Sequence, residues 1–337
     1  MHIPISRRHL LQIAALTSLL GRTSQLPVMS QTATPASAVG ALAQGMATAT
    51  AFFLAALDES QRTRATYTFE DTERTRWHWT TPDSFPRNGL AVRDMTEAQK
   101  RLAFALLQAS VSPLGYEKAI NIMALQKELG SDEQRFYVTV FGTPDADVWG
   151  WRWEGHHLSR HFTVVGDTVS MTPFFLGAWP HVTEAGLRAM PREEQAAREL
   201  VQSLDDAQRV AAVFQVNTLT QHVTQNAIQV TPLDPVGIAY IDLTPSQQIL
   251  VREIITTYLS VLADEVAAAV QERIDTAGYD TIRFGWAGEM QPRRPHYYRL
   301  QGSTFLLEFD CSRSGGTHIH SVWREFEQDF GAVMLTV

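Results

Sequence analysis

Hydrophobic residues recur along this chain at two spacings, one typical of helices and the other of strands. A helical spacing, with apolar positions three and four residues apart, covers residues 41–57, 96–129, 192–204 and 245–274. Alternation of apolar and polar positions, typical of strands, covers residues 136–175 and 281–323. The pattern therefore predicts a chain that contains both several helices and a sheet.

Two of the helix starts carry the same capping motif. Thr96-x-x-Gln99 and Thr244-x-x-Gln247 each place a hydroxyl and a carboxamide where they can bond free backbone N–H groups at a helix start. The second motif opens a helix predicted to run unbroken over 245–274, about 45 Å at the standard rise, as a structural spine. The two helix starts look alike, and a shared capping motif explains this without a larger repeat.

The alternating segments divide into short strands separated by tight turns. The predicted strands are Phe136–Phe141, Val148–Gly155, Leu158–Val165, Val169–Phe175, Thr281–Trp286, His296–Gln301, Thr304–Phe309 and Thr317–Trp323. Connections this short join antiparallel neighbours. We therefore predict an α+β fold in which an antiparallel sheet, in one layer or two, packs against several helices. Residues 39–337 are expected to form this single domain.

The N-terminus resembles an export signal. Ser6-Arg7-Arg8-His9-Leu10-Leu11 precedes a short apolar run over 13–20, which is the arrangement of a twin-arginine signal peptide. Small residues near Ala36 and Ala38 suit a signal peptidase. We expect residues 1–38 to be signal peptide and linker, recognised by the twin-arginine export machinery, and the mature protein to be periplasmic or extracellular. The alternative is a disordered basic tail.

Composition narrows the classes of partner. The formal net charge of −8 argues against a nucleic-acid-binding face. No stretch of the mature chain is apolar enough to span a bilayer.

Cys311 is the only cysteine, so no internal disulfide can form, and the residue is either a buried apolar side chain or a thiol ligand. The sequence lacks a serine nucleophile elbow, a Walker loop, a dinucleotide fingerprint and a His-Glu-x-x-His motif.

Four stretches of the sequence resemble one bacterial and fungal family, catalogued as domain of unknown function 3500. They are Gly115-Tyr116-x-Lys118, Trp149-Gly150-Trp151-Arg152-x-Glu154-Gly155-His156-His157-Leu158-Ser159, Pro295-His296-Tyr297-Tyr298-Arg299 and Thr317-His318-Ile319-His320-Ser321-Val322-Trp323-Arg324. The resemblance covers nearly all of the mature chain and implies that these stretches belong to one domain. It implies no activity. Where the family pattern has a more Asn-rich turn, this chain has Cys311-Ser312-Arg313-Ser314.

Histidines in these stretches form a candidate metal site. In a strand, His318 and His320 point to the same face, with Cβ atoms roughly 6.5–7 Å apart, a spacing from which two imidazoles can bind one ion. His156 and His157 are adjacent, so only one of them can face the same site, and His296 is a further candidate. Imidazole ligands suit zinc, copper or iron. The alternative is that these rings lie on a solvated sheet face.

The remaining polar residues of these stretches suggest catalytic and binding roles. Glu154 and Glu308 are candidate general bases, and Arg152, Tyr298 and Arg299 are candidates for binding an anionic substrate. The alternative is that each arginine pairs with one of these glutamates. Side chains assigned to structural roles are Trp149, Trp151, Trp153, Trp323, His78, His161, His181 and His222.

Three functions remain open from these residues. The first is an exported metal-dependent enzyme, hydrolytic or oxidative, that acts on a small molecule. The second is a periplasmic protein that binds a small anion or sugar without catalysis. The third is a structural or partner-binding exported domain.

Overall fold

The computed structural model describes residues 35–336. Residues 1–34 of the predicted signal peptide and linker, including Arg7 and Arg8, lie outside the described residues. Within them, no helix combines the length and the hydrophobicity that crossing a membrane requires.

The described helices and strands follow the predicted order closely. The α-helices are α1 Pro35–Ala55, α2 Glu59–Ala65, α3 Glu97–Ser110, α4 Pro113–Ala124, α5 Pro191–Ser203, α6 Asp206–Ala212, α7 Pro245–Leu259 and α8 Asp264–Ala277. The strands are β1 Thr66–Tyr67, β2 Leu90–Ala91, β3 Phe136–Phe141, β4 Val148–Gly155, β5 Leu158–Val165, β6 Thr168–Ser170, β7 Phe174–Ala178, β8 Val213–Gln215, β9 Ile238–Ala239, β10 Arg283–Gly288, β11 His296–Gln301, β12 Phe305–Arg313 and β13 His318–Glu325. The strand predicted over 169–175 is thus two short strands.

All of these strands belong to one continuous sheet, which confirms the α+β fold. Its order is β1-β3-β4-β5-β7-β13-β12-β11-β10-β8, with β2, β6 and β9 paired to β3, β5 and β10. Every pair is antiparallel except β1 with β3 and β8 with β10. The sheet is therefore mixed, and each of its two parallel pairs joins a short edge strand, β1 or β8, to the strand beside it.

The prediction of one unbroken helix over 245–274 is wrong. The chain forms α7 and α8, separated at residues 260–263. Side chains from distant elements satisfy the carbonyl groups at this break: the Ser112 hydroxyl donates to the Ser260 carbonyl at 2.5 Å, and Arg160 donates to the Val261 carbonyl at 3.1 Å. The break is therefore a tertiary feature, and the local helical pattern does not reveal it.

The similar starts of α3 and α7 belong to an internal repeat, which corrects the prediction that the capping motif alone explains them. Gln61 on α2 bonds the side chain of Gln99 on α3, and Gln208 on α6 bonds Gln247 on α7 in the same way. In the first half, α1 packs on α3 and β1 adds a parallel edge strand. In the second half, α5 packs on α7 and β8 adds a parallel edge strand. The strand order also corresponds from the two edges inward: β1-β3-β4-β5-β7 from one edge and β8-β10-β11-β12-β13 from the other.

The two halves meet where β7 pairs with β13. Trp323 pairs with Phe174, and their rings lie parallel with centroids 6.4 Å apart. The first half runs from α1 to β7 and the second from α5 to β13. An approximate two-fold axis through the Phe174–Trp323 pair relates them, because β3-β4-β5-β7 on one side corresponds to β10-β11-β12-β13 on the other.

The sheet has two chemically different faces, which we call the helix face and the loop face. The helix face carries the buried tryptophans Trp149, Trp151, Trp153 and Trp323, which confirms their predicted place in the core. Directly paired residues share a face, so strand register assigns the loop face to a row that includes Glu154, Ser159, Phe175, Val322 and Glu308.

Two long irregular segments, residues 68–89 and 216–237, cover the loop face. Trp77 and Trp79 from the first segment form a small hydrophobic cluster with Phe175, Val322 and Phe330. This cluster is separate from the main core, and two of its members, Phe175 and Val322, lie in the loop-face row between Ser159 and Glu308. The loop face is therefore buried by irregular chain, not by helices.

Gly115 is required where α4 meets the break between α7 and α8. A Cβ added there would lie 2.2 Å from the carbonyl oxygen of Val261. We expect Gly115→Ala to lower the free energy of unfolding by roughly 3 kcal/mol because backbone must move. Gly45→Ala is the matched control, since a Cβ at that exposed helical position meets no atom within 4 Å and should stabilise by up to about 1 kcal/mol. Denaturant titrations measure both, and equal stabilities would contradict this packing.

Candidate metal centre

Three histidines from two distant parts of the chain converge at one end of the sheet. The ligand atoms of His157, His318 and His320 all lie within 4.8 Å of one another. The Nε2 atom of His157 is 2.8 Å from Nε2 of His318 and 3.3 Å from Nε2 of His320. These three imidazoles can hold a metal ion.

The turn between β4 and β5 decides which of the two adjacent histidines enters the cluster. His157 has a left-handed backbone conformation, with φ of 67°. Its N–H donates to the Trp79 carbonyl at 2.8 Å, and its own carbonyl accepts from the Gly177 N–H at 2.7 Å. These bonds hold its side chain inward. His156 stacks on the His157 ring at 3.8 Å between centroids and bonds Gln126, so it is a neighbour of the cluster and not a member.

Strand β13 supplies the other two rings from alternate positions, as the His-x-His spacing predicts. His320 pairs with Gly177 on β7. A Cβ at Gly177 would lie 3.0 Å from the His157 ring, so the glycine leaves room for that ring beside β13. The pairing of β7 with β13 therefore aligns the turn histidine with the strand histidines.

Burial keeps these rings in the neutral form that binds metals. His157 and His320 are 1% and 2% exposed, and burial lowers the pKa of each well below its ordinary value. His318 is half-buried, and burial, assisted by the charge of Arg313, lowers its pKa to about 4. Metal ions coordinate unprotonated imidazole, so these groups need not release a proton at neutral pH.

Two of the separations between ring nitrogens correspond to known coordination geometries, and all three nitrogens lie within 4.8 Å of one another. Two bonds of about 2.0–2.1 Å at a tetrahedral angle put the nitrogens about 3.3 Å apart, as zinc requires. The His157–His320 separation has this value. Two bonds of about 2.0 Å at a right angle put them about 2.8 Å apart, as in square-planar copper sites. The His157–His318 separation has that value.

Polar groups behind His320 contact its second ring nitrogen. Arg313 lies 3.1 Å from Nδ1, and an Asp310 carboxylate oxygen lies 4.0 Å from the same atom. That oxygen is buried and has no hydrogen-bond partner among the described residues. At 4.0 Å the carboxylate is not hydrogen-bonded to Nδ1, and the group within reach of Nδ1 is the Arg313 guanidinium, which only donates.

Aromatic side chains enclose the cluster. Trp179 lies parallel to the His318 ring with centroids 4.8 Å apart, and Trp79 packs edge-on against His320 at 6.0 Å. His222 is fully buried against Trp79 at 4.3 Å. Sequence reasoning gave neither tryptophan a role at the site, and it counted Asp310 among the polar residues of the candidate constellation without assigning it a role. Only their short distance from the histidines in the fold connects them with it.

His296, the fourth predicted ligand, lies on the other face of the sheet. His296 pairs with Cys311. The neighbouring Asp310 pairs with His320 on the loop face, so Cys311 and His296 point toward the helix face. Its ring stacks on Trp286 at 4.8 Å and on Phe309 at 5.5 Å. His296 is therefore not brought to the three-histidine cluster.

The two predicted general bases anchor the irregular segments to the loop face. Glu154 forms a buried ion pair with Arg87 at 2.6 Å and accepts from the Ser159 hydroxyl at 2.6 Å. Glu308 accepts hydrogen bonds from the backbone N–H groups of Val223 and Thr224, at 2.5 and 2.9 Å. Both carboxylates therefore hold the covering segments, 68–89 and 216–237.

The predicted substrate-binding residues also bond to protein groups. Arg152 pairs with Glu73 at 2.5 Å, and Arg299 donates to the carbonyl of Asp234. The Tyr298 hydroxyl donates to the Glu193 carbonyl at 2.6 Å on the helix face. These contacts place none of the three side chains in the histidine cluster.

The internal repeat does not reproduce the cluster. The hairpin between β11 and β12 corresponds to the one between β4 and β5, but it carries Ser303 and Thr304 in place of His156 and His157. Among the described residues, His157, His318 and His320 are the group of metal-ligand type found this close together. The histidine cluster therefore lies at one of the two hairpins that the repeat makes equivalent.

Comparison with known proteins identifies the chain only at the level of a family. A family model described as "Protein of unknown function (DUF3500)" matches residues 39–332. No curated protein and no solved structure matches the chain.

Proposed function

Because the chain belongs to DUF3500, a family of proteins of unknown function, we propose its function from the site alone: a metal-dependent enzyme that acts on a small molecule. The observation that carries this proposal is the convergence of three buried or half-buried imidazoles, with ligand atoms within 4.8 Å. Two of the rings come from a strand and one from a hairpin far away in sequence.

Zinc and hydrolysis are the first form of the proposal. Three imidazoles without a thiolate make a ligand set typical of catalytic zinc, and the His157–His320 separation of 3.3 Å fits tetrahedral bonding. Zinc bound in this way keeps a position for water and lowers the pKa of that water to about 7. The half-buried His318 is on the accessible side, so a small substrate would approach beside His318 and Trp179.

Copper and oxidation are the second form of the proposal. The His157–His318 separation of 2.8 Å fits ligands at a right angle, which copper favours more than zinc does. Imidazole-only ligation suits both metals, so the identity of the ion decides the reaction class. A binding protein without catalysis remains the alternative if the protein binds a ligand but converts none.

Asp310 is the residue that we propose to position His320. For Nε2 to bind the ion, Nδ1 must carry the proton, and Arg313 cannot accept it because a guanidinium only donates. The Asp310 oxygen, 4.0 Å away and free of other hydrogen bonds among the described residues, can accept it after a small movement. Carboxylates that orient ligand histidines in this way raise metal affinity.

We also propose that the protein is exported by the twin-arginine machinery to the periplasm or the extracellular space, with residues 1–38 as signal peptide and linker. The support is the Arg7-Arg8 pair ahead of a short apolar run. Cell fractionation of the full-length chain tests this. The Arg7→Lys, Arg8→Lys double variant should remain in the cytoplasm, and export of that variant would count against the proposal.

Metal titration of single variants tests the site. We expect purified residues 39–337 to bind one equivalent of Zn²⁺ or Cu²⁺ by calorimetry, and His157→Ala, His318→Ala and His320→Ala each to lose this binding. Asp310→Asn should weaken it by about 10–100-fold. His156→Gln is the matched control, because His156 adjoins His157 but lies outside the cluster, and it should bind normally.

Three outcomes bear against the proposal. Loss of binding in His156→Gln with retention in His157→Ala would reverse the assignment of the hairpin ligand. Failure of the wild type to bind either ion would remove the metal site. Metal binding without turnover of small esters, phosphoesters or oxidisable phenols would favour the non-catalytic alternative.

A further inference from the structure

A charged cleft opens at the same end of the sheet as the histidine cluster. Its volume is about 550 Å³, which is within the range of small-molecule sites. One wall is α5, and the others are the segment after β7 and the loop before β11. The charged or titratable residues that line it are His181, Arg188, Glu194, Arg198, Glu199 and Arg293.

Two arginines of the cleft share one carboxylate. Glu194, buried on α5, accepts from Arg198 at 2.5 Å and from Arg188 at 3.2 Å. Each arginine uses one terminal nitrogen in these contacts, and the other terminal nitrogen has no protein partner among residues 35–336. Arg198 is only 7% exposed and its Nε is likewise without a partner in the described chain. Unused N–H donors therefore remain on both guanidinium groups.

Arg293 adds a third positive charge. It is exposed and forms no ion pair or side-chain hydrogen bond with any described residue. Its backbone has φ of 59°, a left-handed conformation that is uncommon for a residue with a side chain. The three arginines exceed the two glutamates of the cleft by one charge, and Glu199 also contacts Arg192 outside it, at 3.5 Å.

One segment of chain links this cleft to the metal centre. Trp179 stacks on His318, and two residues later the His181 N–H donates to the carbonyl of Thr317 at 3.0 Å. His181 also lines the cleft. The wall of the cleft and the aromatic wall of the histidine cluster are therefore parts of residues 179–182.

We propose that this cleft binds the carboxylate or phosphate group of a small acidic molecule. Guanidinium groups with several free N–H donors recognise these two anions by paired, charge-assisted hydrogen bonds. Anion binding depends on Arg188, Arg198 and Arg293 alone.

Calorimetric titration with inorganic phosphate and with succinate tests the cleft. The wild type should bind at least one of these probes saturably, and Arg293→Ala should weaken binding about tenfold or more. Arg294→Ala is the matched control: Arg294 is the next residue, is exposed and lies 3.5 Å from Glu289, but does not line the cleft. It should bind as the wild type does.

The same titration separates this proposal from the metal proposal. His157→Ala, which removes a metal ligand, should bind the anion unchanged, so loss of metal binding in that variant does not affect the cleft. Absence of saturable binding by the wild type up to about 10 mM of either probe would overturn the proposal, because that range already includes very weak complexes. Equal weakening in Arg293→Ala and Arg294→Ala would overturn it as well.

Discussion

The antiparallel pairing of β7 with β13 is the interaction on which the structure depends most. It joins the two halves of the sheet, and it is the only direct strand contact between them in the described chain. Leu176 of β7 pairs with Leu158, which directly follows the hairpin histidines, and Gly177 pairs with His320. A shift of one residue in this register would turn His318 and His320 toward the helix face and separate them from His157.

The internal repeat explains the architecture and also isolates the site. Each half builds the same arrangement of a capped helix, short edge strands and four neighbouring antiparallel strands, and the approximate two-fold axis relates the two halves. Histidines occupy one of the two equivalent hairpins, and serine and threonine occupy the other. The three-histidine cluster is therefore a feature of one of the two hairpins among the described residues.

The loop face shows how polar residues can suggest a site that the fold does not form. Arg152, Glu154, Glu308 and Arg299 alternate along strands as substrate-binding and catalytic residues would. In the structure they bond backbone and side-chain groups of residues 68–89 and 216–237, because irregular chain laid over a sheet needs buried polar partners. These charged side chains therefore bind the covering segments to the sheet.

Sequence periodicity was sufficient for features that depend on local geometry. It predicted the helices, most strands and the shared face of His318 and His320, because strand alternation is local. It could not choose between His156 and His157, which a turn with a left-handed residue decides, or place His296, whose face depends on the register of β11 and β12. The break after α7 depends on contacts from Ser112 and Arg160, which leave no local pattern in the sequence. The repeat has one local signature, the two Thr-x-x-Gln motifs, but its paired glutamines and its strand order are tertiary features.

X-ray absorption spectroscopy of the metal-loaded mature protein, combined with anomalous diffraction at the metal edge, tests the three-histidine centre most directly. We expect one ion with three nitrogen ligands at about 2.0–2.1 Å, located between His157, His318 and His320. An ion bound at another place, or a first coordination shell that lacks imidazole from both the β4–β5 hairpin and β13, would contradict the proposed metal centre.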